Sequence, residues 1–280
     1  MKTTPLNRAV QAIAACAVLG WASASFAATT TWNLETGCGS GSTGAVACGT
    51  SGGNTLTAQA YSTATGTTST PTTGTTFAAA TIQNYGATYG VGVQSVNDGT
   101  GSPNHSMDNN NGTDLIVLKF TSAVNLTNIT LGWWSSDYDI SVLAYTGTGT
   151  PTVTGKTAAT LVSSGWTSVK NYGTSGTATA TNLVDINGNG GSTTDISLNT
   201  TNTTTYSSWW IISAYNSGYG GGAMDSIADY VKIMSVASNP QPGTGKVPEP
   251  GSLALIGLGL LGLIGTSRRK AKGQSVNLAA

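Results

Sequence analysis

Apolar and polar residues alternate, imperfectly, with a period of two in several segments of the central part of the chain. Within residues 126–134, Ile129, Leu131 and Trp133 fall on one face of an extended strand, as expected for a strand with one buried side. Residues 115–118 are apolar throughout, which is typical of a central strand covered on both faces. This pattern predicts β-structure rather than helices.

Turn-forming residues divide the central region into short strands. Clusters of Gly, Asn, Pro and Ser separate nine candidate strands, and helix signals are nearly absent. Roughly one residue in six is threonine and 38 of 280 are glycine, which suits exposed β-structure with frequent turns. We predict an all-β domain over residues 28–237, a single β-sandwich of jelly-roll type. The candidate strands are 31–34, 55–61, 88–94, 115–121, 124–134, 140–145, 166–171, 208–215 and 229–236.

Two segments lack the strand pattern. Residues 61–76 form a low-complexity run of Ser, Thr and Gly that contains Pro71, which predicts a long exposed loop. Residues 238–246 are rich in Pro and Gly, which predicts a linker that spaces the domain from the segment after it.

An uncharged apolar segment, residues 251–267, lies near the C-terminus. At ~1.5 Å per residue it reaches about 25 Å as a helix, slightly less than the ~30 Å hydrocarbon thickness of a bilayer. The basic residues Arg268, Arg269 and Lys270 follow at once, and such clusters stay on the cytoplasmic side. We predict a transmembrane helix over 251–267 that leaves the β-domain outside, with 273–280 as a short cytoplasmic tail.

The N-terminal residues 1–27 have the features of a secretory signal peptide. Lys2 and Arg8 form a basic region, an apolar stretch follows, and Ser25-Phe26-Ala27 is a small-x-small cleavage site. An alternative is a lipobox ending at Cys16, which would make the chain a lipoprotein, but the apolar run before Cys16 is short.

The net charge and the number of cysteines indicate which partners and which cysteine chemistry to expect. From Ala28 to Lys246 there are five Lys, no Arg and ten acidic residues, a net charge of −5, so nucleic acid is not an expected partner. With Cys16 removed, Cys38 and Cys48 are the two cysteines left, and an oxidising compartment favours a disulfide between them. Two cysteines alone do not complete a zinc site.

The C-terminal segment 247–272 resembles the PEP-CTERM sorting signal. Pro248, Glu249 and Pro250 precede the Gly/Leu-rich apolar segment and the basic residues, in the order that this signal requires. The resemblance implies processing by exosortase, a membrane transpeptidase of Gram-negative bacteria that produce exopolysaccharide. An ordinary tail anchor is the alternative, and the tail here continues about ten residues beyond the basic cluster, further than is usual in the family.

The central region also resembles a family of exosortase-dependent surface proteins. Its motifs occur in the family's order, and the resemblance implies location and processing but no biochemical activity. The motifs lie at residues 102–109, 114–120, 131–140, 164–166, 211–214 and 228–233.

Catalytic residues are sparse. His105 is the single histidine, so a Ser-His-Asp triad would need it, with Asp108 or Asp114 to orient it. Asp137 and Asp139 could form the carboxylate pair of a glycosidase, with Trp133 and Trp134 beside them to stack on sugar rings. Alternatively, they belong to a polar turn between two strands. The turn is the favoured interpretation, and we expect no enzyme activity.

Calcium is a possible cofactor. Asp185, Asn187 and Asn189 match the start of a calcium-binding loop, although Asp195 lies one position before the expected closing acid, and a hairpin loop needs the same residue types. We therefore expect an exported, exosortase-processed protein of the cell surface or extracellular matrix, associated with exopolysaccharide. The alternatives are a calcium-assisted carbohydrate-binding module and a hydrolase that acts on polysaccharide.

Overall fold

The structure, a computed structural model, describes residues 28–67, 70–99, 105–173, 194–198 and 204–242. This part of the chain consists mainly of β-strands joined by turns and loops, with two short helices and two 3-10 turns. The strands are β1 (Thr30–Asn33), β2 (Val46–Ser51), β3 (Asn54–Thr67), β4 (Thr70–Ala79), β5 (Thr81–Asn84), β6 (Val91–Gln94), β7 (Met107–Asp108), β8 (Asp114–Ser136), β9 (Ile140–Tyr145), β10 (Trp166–Tyr172), β11 (Thr194–Ser197), β12 (Ser207–Ala214) and β13 (Asp229–Pro240). The helices are α1 (Leu34–Gly37) and α2 (Ala158–Val162), with 3-10 turns at Gly86–Thr88 and Ser217–Tyr219.

The long strand β8 organises the fold. Its first half pairs with β12 on one side and β3 on the other, with Leu118 opposite Trp210 and Ala58. Its second half pairs with β13 and β11, with Ile129 opposite Val236 and Ile196. The described strands thus form one continuous hydrogen-bonded sheet, in the order β10-β9-β12-β8-β13-β6-β5 with the other strands attached to this path.

Two apolar cores cover the two faces of β8 in its first half. Ile116 and Leu118 belong to the inner core, which also contains Leu131 and Val231 from the second half of the sheet. The two halves therefore share one core, as the two layers of a sandwich do. Burial of each such side chain contributes ~1.5–3 kcal/mol.

An outer core lies on the opposite face of the same strands. It contains Leu115 and Val117 of β8, Ile211 of β12 and the ring of Trp166, and helix α2 covers it with Leu161. The prediction that 115–118 forms a strand covered on both faces is therefore correct. The all-β prediction is likewise confirmed, and the architecture is sandwich-like.

The predicted exposed loop at 61–76 is wrong. This region forms the end of β3 and most of β4, which pair as a hairpin with Ser62 opposite Ala78 and Thr65 opposite Thr72. Threonine has high β-propensity, and here the polar low-complexity run is an antiparallel pair rather than a loop.

The bounds of three predicted segments also differ from the structure. The candidate strands 115–121 and 124–134 are one strand, β8. The candidate strand 88–94 begins only at Val91, because Gly90 adopts a positive φ of 85° and lies against the backbone of Ile233. The predicted linker begins too early, since β13 continues to Pro240.

Candidate functional site

Three buried aspartates from two sequence regions meet where β8 ends and β13 begins. Asp137 and Asp139 lie in the connection between β8 and β9, and Asp229 is the first residue of β13. One carboxylate oxygen of each lies within 4.8 Å of the others, and all three residues are buried. The sequence interpretation of 135–139 as a polar turn gives the correct backbone position, but these side chains do not face solvent as turn residues usually do.

Hydrogen bonds fix Asp229 at the centre of this acidic cluster of Asp137, Asp139 and Asp229. One of its oxygens accepts the Asp139 backbone N–H at 2.7 Å. The other accepts from the Asn109 side-chain amide at 2.5 Å, and the Asn109 oxygen accepts the Asp229 backbone N–H at 2.9 Å. Asn109 thus positions Asp229 through two reciprocal bonds, a role that nothing in the local sequence indicates.

Burial determines the electrostatics of the acidic cluster. The pKa of Asp229 is raised to about 8, chiefly by desolvation and also by the charges of Asp139 and Asp137, while its hydrogen bonds to Asp139 and Asn109 act in the opposite direction. Three carboxylates at this distance therefore favour a shared proton or a hard cation such as Ca²⁺. Among the described residues, Asp137, Asp139 and Asp229 form the group whose geometry could hold a metal ion.

A second acidic group joins Asp98, Asp108 and Asp114. Burial, followed by the charge of Asp98, raises the pKa of Asp108 to about 7. Burial and the neighbouring Asp108 raise the pKa of Asp114 well above its usual value. Asp114 begins β8 and is buried together with Asp108, whereas Asp98 is half-buried.

His105 lies just before β7 and does not form a triad with the described residues. It has a positive φ of 67°, and its ring stacks on that of Tyr85 with the centroids 6.3 Å apart. Its Nδ1 atom is buried without a hydrogen-bond partner among the described residues, so neither Asp108 nor Asp114 accepts a hydrogen bond from this nitrogen.

The two tryptophans beside the acidic cluster pack against protein groups. The centroid of the Trp133 ring lies 3.8 Å from the Lys232 ammonium, and burial lowers the pKa of Lys232 to about 8. Trp134 contacts the ring of Tyr138, with the centroids 5.8 Å apart, and packs on the inner core. The sequence-based idea that this pair stacks on sugar rings therefore has less support than a packing role.

A partly exposed tryptophan lies elsewhere, in a groove on the outer face of the sheet. Trp209 of β12 and Lys119 of β8 are directly opposite one another, and the Lys119 ammonium lies 4.9 Å from the Trp209 ring centroid. Sequence reasoning included both in strands but did not single them out. Only the register between β8 and β12, which are far apart in the sequence, brings them together.

Some of the remaining predicted site residues lie within the ranges that the structure describes, and others lie outside them. Cys38 and Cys48 form a disulfide that ties the end of α1 to β2. Asp195 pairs through its main chain with Thr130 in β8. The other calcium-loop residues, Asp185, Asn187 and Asn189, lie outside the described residues, as do Cys16, the segment 1–27 and the sorting segment 247–272.

A comparison with family models finds a match in the C-terminal segment. The family model of the PEP-CTERM protein-sorting motif matches residues 246–270. The chain carries a PEP-CTERM sorting motif. The match spans Pro248, Glu249 and Pro250 together with the basic cluster, so the resemblance seen in the sequence is confirmed. The PEP-CTERM motif identifies an exported protein that is targeted to exosortase and reaches the cell surface or the extracellular space.

The comparisons with curated proteins and with solved structures give no match. Within the described ranges, no helix is long and apolar enough to cross a membrane. The predicted membrane segment 251–267 lies outside these ranges.

Proposed function

We propose that this protein is a non-catalytic component of the cell surface or extracellular matrix that is processed by exosortase and associates with exopolysaccharide. The PEP-CTERM match at residues 246–270 is the observation that carries this proposal. A signal peptide at 1–27 starts export, and a membrane helix at 251–267 holds the chain in the inner membrane until the tail is processed.

The distribution of charge supports this topology. The apolar segment carries no charge, and Arg268, Arg269 and Lys270 follow it directly. Because basic residues next to a membrane segment stay in the cytoplasm, the β-domain and the Pro-Glu-Pro motif lie on the opposite side. The strand β13 ends at Pro240, which leaves a short connection between the folded domain and the motif.

The buried position of the acidic groups supports a non-catalytic domain. A glycosidase needs two carboxylates that reach the glycosidic bond. Asp137, Asp139 and Asp229 are 0%, 1% and 1% exposed, so a polysaccharide cannot contact them without opening the fold.

Substitution in the sorting motif tests this proposal. We expect Pro248→Ala combined with Glu249→Ala to block processing, so that the chain accumulates in the membrane fraction of an exosortase-positive strain. The unsubstituted chain should appear in the surface or extracellular fraction, and quantitative immunoblots of the fractions measure the ratio.

Thr244→Ala, in the connection before the motif, is the matched control and should not change the distribution. If the double variant is processed and located like the unsubstituted chain, the motif is not the address, and the proposal fails.

A further inference from the structure

The groove on the outer face of the sheet is built from three adjacent strands. Thr57 of β3 is opposite Lys119 of β8, and Lys119 is opposite Trp209 of β12. These three side chains therefore form a row across the strands, on the face that also carries the outer core. Gln59 and Tyr61 continue the same face of β3.

The groove exists because the cover of the outer core ends before this row. Helix α2 and the segment around Val153 cover Leu115 and Val117, which precede Lys119 in β8. Lys119 lies beyond this cover and is exposed, while Thr57, Gln59 and Trp209 are half-buried. The resulting cavity has a volume of about 270 Å³. Its lining residues are Ala45, Thr57, Ala58, Gln59, Tyr61, Val117, Lys119, Pro151, Val153 and Trp209.

The chemistry of the groove combines an aromatic surface with one positive charge. The Lys119 ammonium lies 4.9 Å from the Trp209 ring centroid, and the described residues that line the groove include no Asp or Glu. The groove is thus locally positive on a domain whose net charge is negative. Thr57 and Gln59 add hydrogen-bonding groups on the same wall.

We propose that this groove binds an acidic sugar residue of an anionic polysaccharide. The inference rests on the proposed association with exopolysaccharide and names the chemical class of its ligand. A pyranose ring offers a flat C–H face to Trp209, its hydroxyl groups bond to Thr57 and Gln59, and its carboxylate pairs with Lys119.

Charge complementarity favours an acidic sugar over a neutral one. A neutral sugar would leave the Lys119 ammonium partly desolvated without a counter-charge, which costs free energy. A carboxylate supplies that charge and forms a charge-assisted hydrogen bond, roughly twice as strong as a neutral one. Because Lys119 remains close to solvent, the contribution must weaken as salt screens it.

The test measures binding of the purified full-length chain, held in detergent, to oligogalacturonate, a linear chain of acidic sugars. The methyl-esterified oligomer is the neutral counterpart with the same ring. We expect Lys119→Gln and Trp209→Ala each to weaken binding of oligogalacturonate about tenfold, as loss of a charged hydrogen bond or of an aromatic contact does. The unsubstituted chain should bind the ester more weakly, and its affinity for the acid should fall with added salt.

Lys170→Gln is the matched control, because Lys170 also lies over an aromatic ring, with its ammonium 5.7 Å from the centroid of Tyr172 on β10. This variant should bind like the unsubstituted chain. Thermal unfolding of each variant separates loss of binding from loss of fold, and Lys119→Gln, at an exposed position, keeps the test valid if Trp209→Ala unfolds.

Three results would overturn the proposal: no binding of oligogalacturonate by the unsubstituted chain, equal affinity of Lys119→Gln, or equal affinity for acid and ester. If another segment of this chain fills the groove instead, Lys119→Gln lowers the unfolding temperature and leaves the glycan affinity unchanged. If a peptide fills it, Lys119→Gln weakens peptide binding and leaves the glycan affinity unchanged. Binding to purified protein does not depend on processing, so failure here leaves the sorting proposal intact. The sorting test can fail in cells without affecting this affinity.

Discussion

Buried aspartates are the least expected feature at the scale of single residues. Asp108 is 6% exposed on the short strand β7, beside the buried Asp114. Its pKa is raised to about 7, chiefly by desolvation. The folded protein therefore retains a proton at Asp108 at pH values where the unfolded chain, with the ordinary aspartate pKa, has released it.

This difference predicts a pH-dependent stability. Between about pH 4 and pH 7 the folded state binds more protons than the unfolded state, so the free energy of unfolding falls as pH rises. One proton corresponds to a slope of ~1.4 kcal/mol per pH unit. We expect Asp108→Asn to reduce the downward slope across this window, as measured by urea unfolding at a series of pH values.

Asp225→Asn is the control, since Asp225 is half-buried and lies outside this acidic group. It should leave the slope as it is in the unsubstituted protein. An unchanged slope in Asp108→Asn would show that Asp108 is ionised in the folded state throughout this range.

The sequence indicates some of these residues but not their environment. Cys38 and Cys48 could be paired because they are the two cysteines left in the mature chain. Asp137 and Asp139 stand out as neighbours, but Asp229 and Asn109 join them only through the register of β13 against β8 and β7. Local sequence carries no signal for such long-range pairing.

At the scale of elements, hydrophobic strands were easier to predict than polar ones. β9 was predicted with its observed bounds, Ile140–Tyr145, because its residues are apolar and flanked by turn formers. The strands β2 and β4 were missed, since their alternation is between small and polar residues. Their place in the sheet comes from pairing with β3 rather than from local hydrophobicity.

The disulfide joins the end of α1 to β2. Cys38 follows α1 and Cys48 lies in β2, and both side chains are buried in the inner core. Replacing both by alanine removes a loop constraint on the unfolded chain, so we expect a loss of about 2–3 kcal/mol in the free energy of unfolding. Chemical denaturation of the oxidised protein and of the double variant measures it.

The reduced, unsubstituted protein is the control for this double variant. It should resemble the cysteine-free variant within ~1 kcal/mol, since both lack the same constraint. Equal stability of oxidised and reduced protein would contradict a stabilising role for this disulfide.

At the scale of the whole molecule, destination and activity are encoded in different parts of the chain. The sorting motif is a short local pattern, so the sequence alone identified it, and the match at residues 246–270 confirms it. The binding groove depends on strands β3, β8 and β12 meeting in one register. Such a site appears only once the fold is known.

Exosortase processing is tested by the intact mass of the mature protein recovered from the surface or medium of an exosortase-positive strain. We expect a mass that lacks both the signal peptide 1–27 and residues 251–280, which include the apolar segment and the basic cluster. We also expect the tail to be retained in a strain without exosortase. A surface or extracellular protein that still carries residues 251–280 in the exosortase-positive strain would contradict exosortase processing.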